Sequence, residues 1–536
     1  MWNTQNREQI WQQLSRAWDL IIIGGGITGA GILREATRVG LRALLIEADD
    51  FAAGTSSRSS KLVHGGFRYL KNAQLKMTLT SVRERERLLQ EGRGLITQLG
   101  FLFVHYRRDH FPPWLFGMGL ALYDLLAMRW NHRYYDAYDI LELSPYLKSE
   151  GLIGGYRYFD AQTDDARLVF RLLQEACDQG GWALNYCRAI ELLRRQDGQV
   201  CGVAVRDEAP VRQGRTAEIQ AKVVINASGA WADELRAQLG CRRRLRKLRG
   251  SHLILPRWRL PIHRAVTFLH PRDRRPVFAL PWEGVTLFGT TDVDHQEALS
   301  IDAKISPKEL DYLLSALQDV FPVLELSADD ILATFAGVRA VVDTGKADPS
   351  KESREHVLWL ENGLLTVSGG KLTTFRLMAQ EALRKVAALL EFPHPFPARQ
   401  RVLDEVVLSV LAEKSLPVTS RLRLAGRYGA RAAEVLNLAR QGELEPIGDT
   451  PSLWAELRWA ARSEAVVHLD DLLLRRVRLG LTLPRGGSDL MERIRETVQE
   501  ELGWSDDRWK TEVTAYQELW KTCYGVPSES VKKTYF

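Results

Sequence analysis

The residues most plainly spaced for chemistry are Gly24, Gly26 and Gly29, followed by Glu47. In the order Gly-x-Gly-x-x-Gly they suit a diphosphate. The first permits a tight turn, the second lets the backbone approach a pyrophosphate, and the third lets a helix pack closely on a strand. Gly25 and Thr28 fill the same turn. An acid about 20 residues on can accept hydrogen bonds from a ribose hydroxyl, favouring an adenosine without a 2′-phosphate. The chemistry implied is dinucleotide binding, with the phosphates at the N–H groups of a helix N-terminus.

The elements that must hold these residues are legible around them. Leu20 to Ile23 is a short apolar run suited to a buried parallel strand, and Thr28 to Val39 is helical, with Gly40 where a C-cap is expected. A second apolar strand, Ala43 to Ile46, ends in Glu47. A glycine-rich turn alone would not call for an acid at that distance. Val223 to Ile225 and Leu364 to Val367 are further apolar strands, ending in the small-residue segments Asn226–Trp231 and Ser368–Thr374. Strand alternation fills 182–226, with a turn at Asp197-Gly198, and 251–292 is strand-rich. Helices are expected at 5–17, 74–98, 114–129 and 161–180, with the rest of 101–160 irregular. The Pro-rich stretch Glu391 to Pro397 reads as a linker, and helical periodicity beyond it predicts a separate α-helical domain over 398–536.

A chain of 536 residues has room for two or three domains. Its net charge of +6 is too mild to require a nucleic-acid partner. Between Arg242 and Arg275, however, twelve Lys/Arg stand against one acid, Asp273. Such a run is a solvated basic face, or a surface for an anionic membrane or substrate. The five cysteines are scattered and odd in number, which predicts neither a disulfide framework nor a metal site and fits a reducing cytoplasm. The N-terminus lacks the layout of a signal peptide. The most apolar window, Trp114 to Met128, is broken by Asp124 and falls short of the ~20 residues a spanning helix needs.

Several motifs occur in one order across residues 19–377: DLIIIGGGITGAGI, TSSRSSKLVHGGFRYL, FDAQTDDARL, NASGAW, RGSHLILP, FGTTDVD, FAGVRAVV and SGGKLTTFR. Together they resemble the FAD-dependent, quinone-linked respiratory glycerol-3-phosphate dehydrogenases, and DDLLLRRVRLGL is similar to that family's C-terminal domain. The resemblance implies an α/β fold: a glutathione-reductase-type FAD-binding Rossmann domain, an antiparallel β substrate domain and a C-terminal α-helical domain. The boundaries expected are 19–90, 160–235 and 336–390 for FAD, 91–159 and 236–335 for substrate, and 398–536 for the helical domain. The activity implied is oxidation of sn-glycerol 3-phosphate to dihydroxyacetone phosphate, with electrons passed to membrane quinone. A flavin oxidase using oxygen and a catalytically silent FAD scaffold are the alternatives. The partners implied are a small phosphorylated polyol, a membrane quinone and an anionic membrane surface, with no nucleic acid and with a homodimer compatible. The location implied is the cytoplasm, peripherally at the inner face of the cell membrane.

Residue chemistry adds roles to these motifs. A phosphate with nearly two charges suits Arg and Lys, which points to Arg68, Arg354 and Lys371 for substrate, with Tyr69 and Thr373 as hydroxyl donors. His252 is expected as the general base, its ordinary pKa of ~6.5 lying in the useful range, and Arg339 as stabiliser of a developing alkoxide. The alternative for His252 is a strand histidine bonded within the core. For FAD, Ser56, Ser57, Ser59 and Lys61 offer polar groups, Gly65 and Gly66 close approach, and His64 loop geometry. Gly229, Gly370, Lys371, Leu372 and Thr373 complete that set. Two departures stand out: Thr28 where the family commonly has Asn, and Ala340 where it has proline after Arg339.

Overall fold

The structure is a computed structural model describing residues 4–66, 75–127, 130–299, 302–348, 352–390, 400–406, 408–411 and 416–527. Two sheets organise it. In the first, strands Leu364–Ser368, Thr216–Asn226, Trp18–Ile23, Ala43–Ile46 and Trp182–Leu184 run parallel side by side, with Val357–Glu361 antiparallel at one edge. The strand Trp18–Ile23 is buried along its whole length, as a parallel strand covered on both faces must be. Helices Ile27–Arg38, Asp165–Asp178 and Phe375–Lys385 cover one face through Ala30, Leu33, Val169, Leu172, Ala379 and Leu383. The antiparallel strands Cys187–Arg194 and Val200–Asp207 extend the start of Thr216–Asn226.

The second sheet has ten strands and is antiparallel except where Ala265–Leu269 joins Ile96–Tyr106. Its longest members are Ile96–Tyr106, Leu152–Thr163 and Leu245–Pro256. The first two occupy a stretch that sequence reading left mostly irregular: their aromatic residues do not alternate with polar ones, because this pair is covered on both faces. Helix Pro307–Val320 packs on one side through Leu313 and Leu317, and C-terminal residues such as Trp454, Leu457 and Leu472 on the other.

The expected domain borders do not coincide with the sheets. Position 336 falls inside strand Ala333–Val342, which pairs with Leu245–Pro256, and Leu62–Val63 pairs with Leu152–Thr163. The linker at 391–397 lies outside the described residues. The C-terminal region is helical, as expected, but it is welded to the rest by buried ion pairs. Arg476 joins Asp50, Arg478 joins Asp165 at 2.7 Å, Arg427 joins Asp164 at 3.0 Å, and Arg167 joins Glu464. Asp50, Asp164 and Asp165 each keep a second cation, Arg475, Arg478 and Lys61, whereas removing Arg167 would leave the Glu464 charge uncompensated, at a cost of ~3–5 kcal/mol.

Candidate active site

A cleft of about 1400 Å³ runs along the C-terminal ends of the parallel strands and under the second sheet. At one end it is lined by Gly24, Gly26, Thr28 and Glu47. Gly24 has φ +116°, and a Cβ there would stand 2.5 Å from the Ala227 carbonyl oxygen. A Cβ on Gly29 would meet the Gly24 carbonyl oxygen at 1.9 Å, so helix and turn touch only because residue 29 is glycine. Glu47 accepts the Gly25 N–H at 2.6 Å and the Asp49 N–H at 3.0 Å. Burial, aided by Asp49, pushes its carboxyl up to about 7. Arg475 and Asp470 of the C-terminal region line the same end, a contribution sequence reasoning missed because it arrives more than 400 residues later.

Midway, Ser56 lines the cleft and its Oγ accepts the Ile27 N–H at 2.9 Å. Gly229 and Trp231 face it from the first sheet, and Arg58, Val338 and Arg339 from the opposite wall. Gly370, Lys371 and Leu372 close the far end. There the cations gather. Arg354 Nη2 donates to Asp292 Oδ2 at 2.8 Å, and Arg339 Nη1 stands 3.8 Å from Asp292 Oδ1. Lys371 Nζ donates to Ser81 Oγ at 3.1 Å, and burial together with Arg354 lowers its pKa to about 7. His64 faces the same group: burial, Lys371 and Arg354 push its imidazole down to about 4.

Residues 19–382 match the model of the FAD dependent oxidoreductase family, and residues 375–509 that of the C-terminal domain of alpha-glycerophosphate oxidase. An aerobic glycerol-3-phosphate dehydrogenase of Staphylococcus haemolyticus is 33% identical over 502 residues, 88% of this chain and 89% of that one. The chain belongs to the FAD-dependent oxidoreductases, in the glycerol-3-phosphate dehydrogenase family. A relative of the same name from Staphylococcus aureus is 32% identical over 500 residues, 88% of this chain and 89% of that one. The solved glycerol-3-phosphate dehydrogenase from Bacillus halodurans, complexed with FAD, is 28% identical, with a TM-score of 0.79 and 98% of each chain covered.

FAD is the cofactor of this family member, and the cleft fits it. Gly24 and Gly26 leave the turn free of side chains, the N-terminus of helix Ile27–Arg38 would offer its N–H groups to the phosphates, and Glu47 would hold the adenosine ribose. Gly229, Gly370 and Leu372 line the remainder.

Not every expected residue reaches the cleft. Ser59 borders it, but its Oγ donates to Asp165 Oδ2 at 2.7 Å. The Ser57 carbonyl accepts from Arg478 at 2.8 Å, and Lys61 is fully buried against Asp165 at 2.8 Å. Burial and the neighbouring Arg478 lower the Lys61 ammonium to about 7. Ser57 and Lys61 brace the loop beneath Ser56, and Ser59 both borders the cleft and joins that brace. Gly65 is needed for packing: a Cβ there would meet the Tyr123 hydroxyl at 2.2 Å, and its N–H donates to that oxygen at 3.0 Å. Gly66, likewise buried, takes φ +78°. Thr373 donates to the His64 carbonyl oxygen at 3.2 Å, behind the lining residues.

His252 takes the position of its alternative reading. It is buried in strand Leu245–Pro256, stacked on Phe335 at 4.7 Å, with Nε2 2.9 Å from Ser60 Oγ. Burial, Lys61 and Arg339 push its pKa well below the ordinary value. Arg68 and Tyr69 lie outside the described residues. Asp292 was invisible as a partner in sequence, since Arg354 follows it by 62 residues.

Proposed function

We propose that the chain oxidises the secondary alcohol of sn-glycerol 3-phosphate to the ketone of dihydroxyacetone phosphate. The observation that carries this reading is the group of three cations at the FAD cleft: Arg339 and Lys371 line it, and Arg354 meets Arg339 across Asp292 and acts electrostatically on Lys371. Bound FAD supplies the two-electron acceptor. Arg354 and Lys371 bind the phosphate, and Arg339, always protonated, stabilises negative charge developing on the alcohol oxygen. His64 accepts the hydroxyl proton in place of His252. The cations beside it keep its imidazole neutral, and a bound dianion raises its basicity. The test is anaerobic mixing of holoprotein with sn-glycerol 3-phosphate while flavin absorbance is followed. Rapid bleaching supports the reading; an unchanged spectrum refutes it.

The acceptor we propose is a membrane quinone, reached by surface docking. No described helix is long and apolar enough to cross a membrane. Helix Pro113–Ala127 turns Phe116 inward, stacked on Phe103 at 4.0 Å, and turns Trp114, Leu115, Met118, Leu122 and Leu125 outward. Trp114 is 60% and Leu125 68% exposed, an apolar stripe suited to the headgroup region. The basic run of 242–275 serves less well than its composition suggested. Arg246 pairs with Asp294, Arg249 with Glu309 and Arg272 with Asp311. Reoxidation by a soluble quinone faster than by oxygen, and sedimentation with vesicles that is lost in Trp114→Asp/Leu125→Asp, are the expected results. Faster reoxidation by oxygen makes the protein an oxidase.

A further inference from the structure

Asp292 is an acid placed among the cations of an anion site. Its Oδ2 accepts from Arg354 at 2.8 Å, while Oδ1 stands 3.8 Å from Arg339 and accepts no hydrogen bond from the described residues. The residue is 9% exposed. A scaffolding role does not account for it, because both neighbours are held by other means. The loop before Arg354 is pinned by Glu352, which accepts from the Thr344 hydroxyl at 2.6 Å and the Lys346 N–H at 3.2 Å. Arg339 extends along a sheet strand, over Gly250, where a Cβ would meet its Nη2 at 2.5 Å. The backbone of Asp292 is anchored through its carbonyl, which accepts from Arg275 at 3.0 Å. What the carboxylate alone supplies is negative charge between two guanidinium groups that are always cationic.

We infer that Asp292 is an internal counter-ion that occupies the anion clamp in the absence of substrate and sets its selectivity for dianions. This rests on the reading of Arg339, Arg354 and Lys371 as a phosphate site. A monoanion offers Arg354 no more charge than Asp292 already does, so it gains little by competing. A phosphate dianion brings twice that charge and three acceptor oxygens, and it displaces the carboxylate. Asp292 is thus a specificity-determining residue that works by raising the threshold for entry.

The experiment measures binding of inorganic phosphate and of acetate to FAD-loaded protein by the perturbation of flavin absorbance. Asp292→Asn is expected to bind phosphate on the order of tenfold more tightly than the native protein, and to acquire acetate binding. Asp292→Ser, smaller and also uncharged, is expected to shift both in the same direction. In an Arg354→Gln background the gain from Asp292→Asn should largely vanish. Equal or weaker phosphate binding in both Asp292 variants, with FAD retained, overturns the counter-ion role while leaving the clamp intact. Native protein that binds no phosphate at all refutes the clamp itself, and the inference with it.

Discussion

Arg354→Gln isolates one charge of the proposed clamp. The native guanidinium lies 2.8 Å from Asp292, and its side chain is 29% exposed at the edge of the site. A unit charge 4 Å from another is worth ~4 kcal/mol at an effective dielectric of 20. Partial exposure discounts that figure, and losing one hydrogen bond to a charged group is commonly worth ~1.5–3 kcal/mol. That range corresponds to a loss of roughly 12- to 160-fold in affinity for glycerol 3-phosphate. Because Asp292 would also lose its close partner and repel the phosphate, the upper half of the range is expected. The rate of flavin reduction at saturating substrate should change by less than about tenfold, since the substitution leaves Arg339 in place. Anaerobic stopped-flow reduction, as a function of substrate concentration, separates the two quantities. An unchanged dissociation constant, with FAD fully bound, would refute the assignment of Arg354 to the phosphate.

The proton inventory gives a second expectation. With the Lys371 pKa near 7 in the ligand-free protein, a dianion binds the protonated amine and raises its pKa, so affinity should weaken as pH rises above 7, and also below about pH 6 where the phosphate becomes a monoanion. Calorimetry in buffers of different ionisation enthalpy should show proton uptake near pH 7.5, and Lys371→Arg should flatten the profile. The same depressed pKa makes the folded state less stable below pH 7 than it would be with an ordinary lysine, a penalty relieved between pH 7 and the unfolded value of 10.5. Lys371→Met should therefore raise the melting temperature at pH 6 more than at pH 9. His64→Asn should slow flavin reduction by at least ~100-fold, whereas His252→Asn should slow it by less than tenfold; the reverse order would return the base to His252. Arg167→Met strands Glu464 in the interior and should cost ~3–5 kcal/mol in urea unfolding.

Much of the cofactor half was legible because its determinants are local. The turn, its helix and Glu47 lie within one βαβ unit, where sequence spacing is also spatial spacing. Strands such as Val223–Ile225 and Leu364–Val367 were readable as continuous apolar runs that parallel sheets require. The substrate half was harder to read. Ile96–Tyr106 and Leu152–Thr163 pair with each other and lie between two cores, so neither carries the alternation that marks a half-exposed strand. Composition also misled at Lys61, and at Ser59 it hid a second role. Their polarity suggested a cofactor contact, yet it is consumed by Asp165, a partner more than 100 residues away. The same holds for the arginine run at 242–275, whose acids come from distant segments. Residue type announces that a charge must be satisfied, and only the fold decides by what.

The central claim is that a flavin site selects a phosphorylated polyol through Arg339, Arg354 and Lys371. Its most direct test is anaerobic flavin reduction of the native holoprotein by sn-glycerol 3-phosphate and by glycerol, measured side by side. Two or more charge-assisted hydrogen bonds to the phosphate should favour the phosphorylated substrate by at least ~160-fold in the second-order rate constant. Equal bleaching by both, or bleaching by neither, would contradict the account.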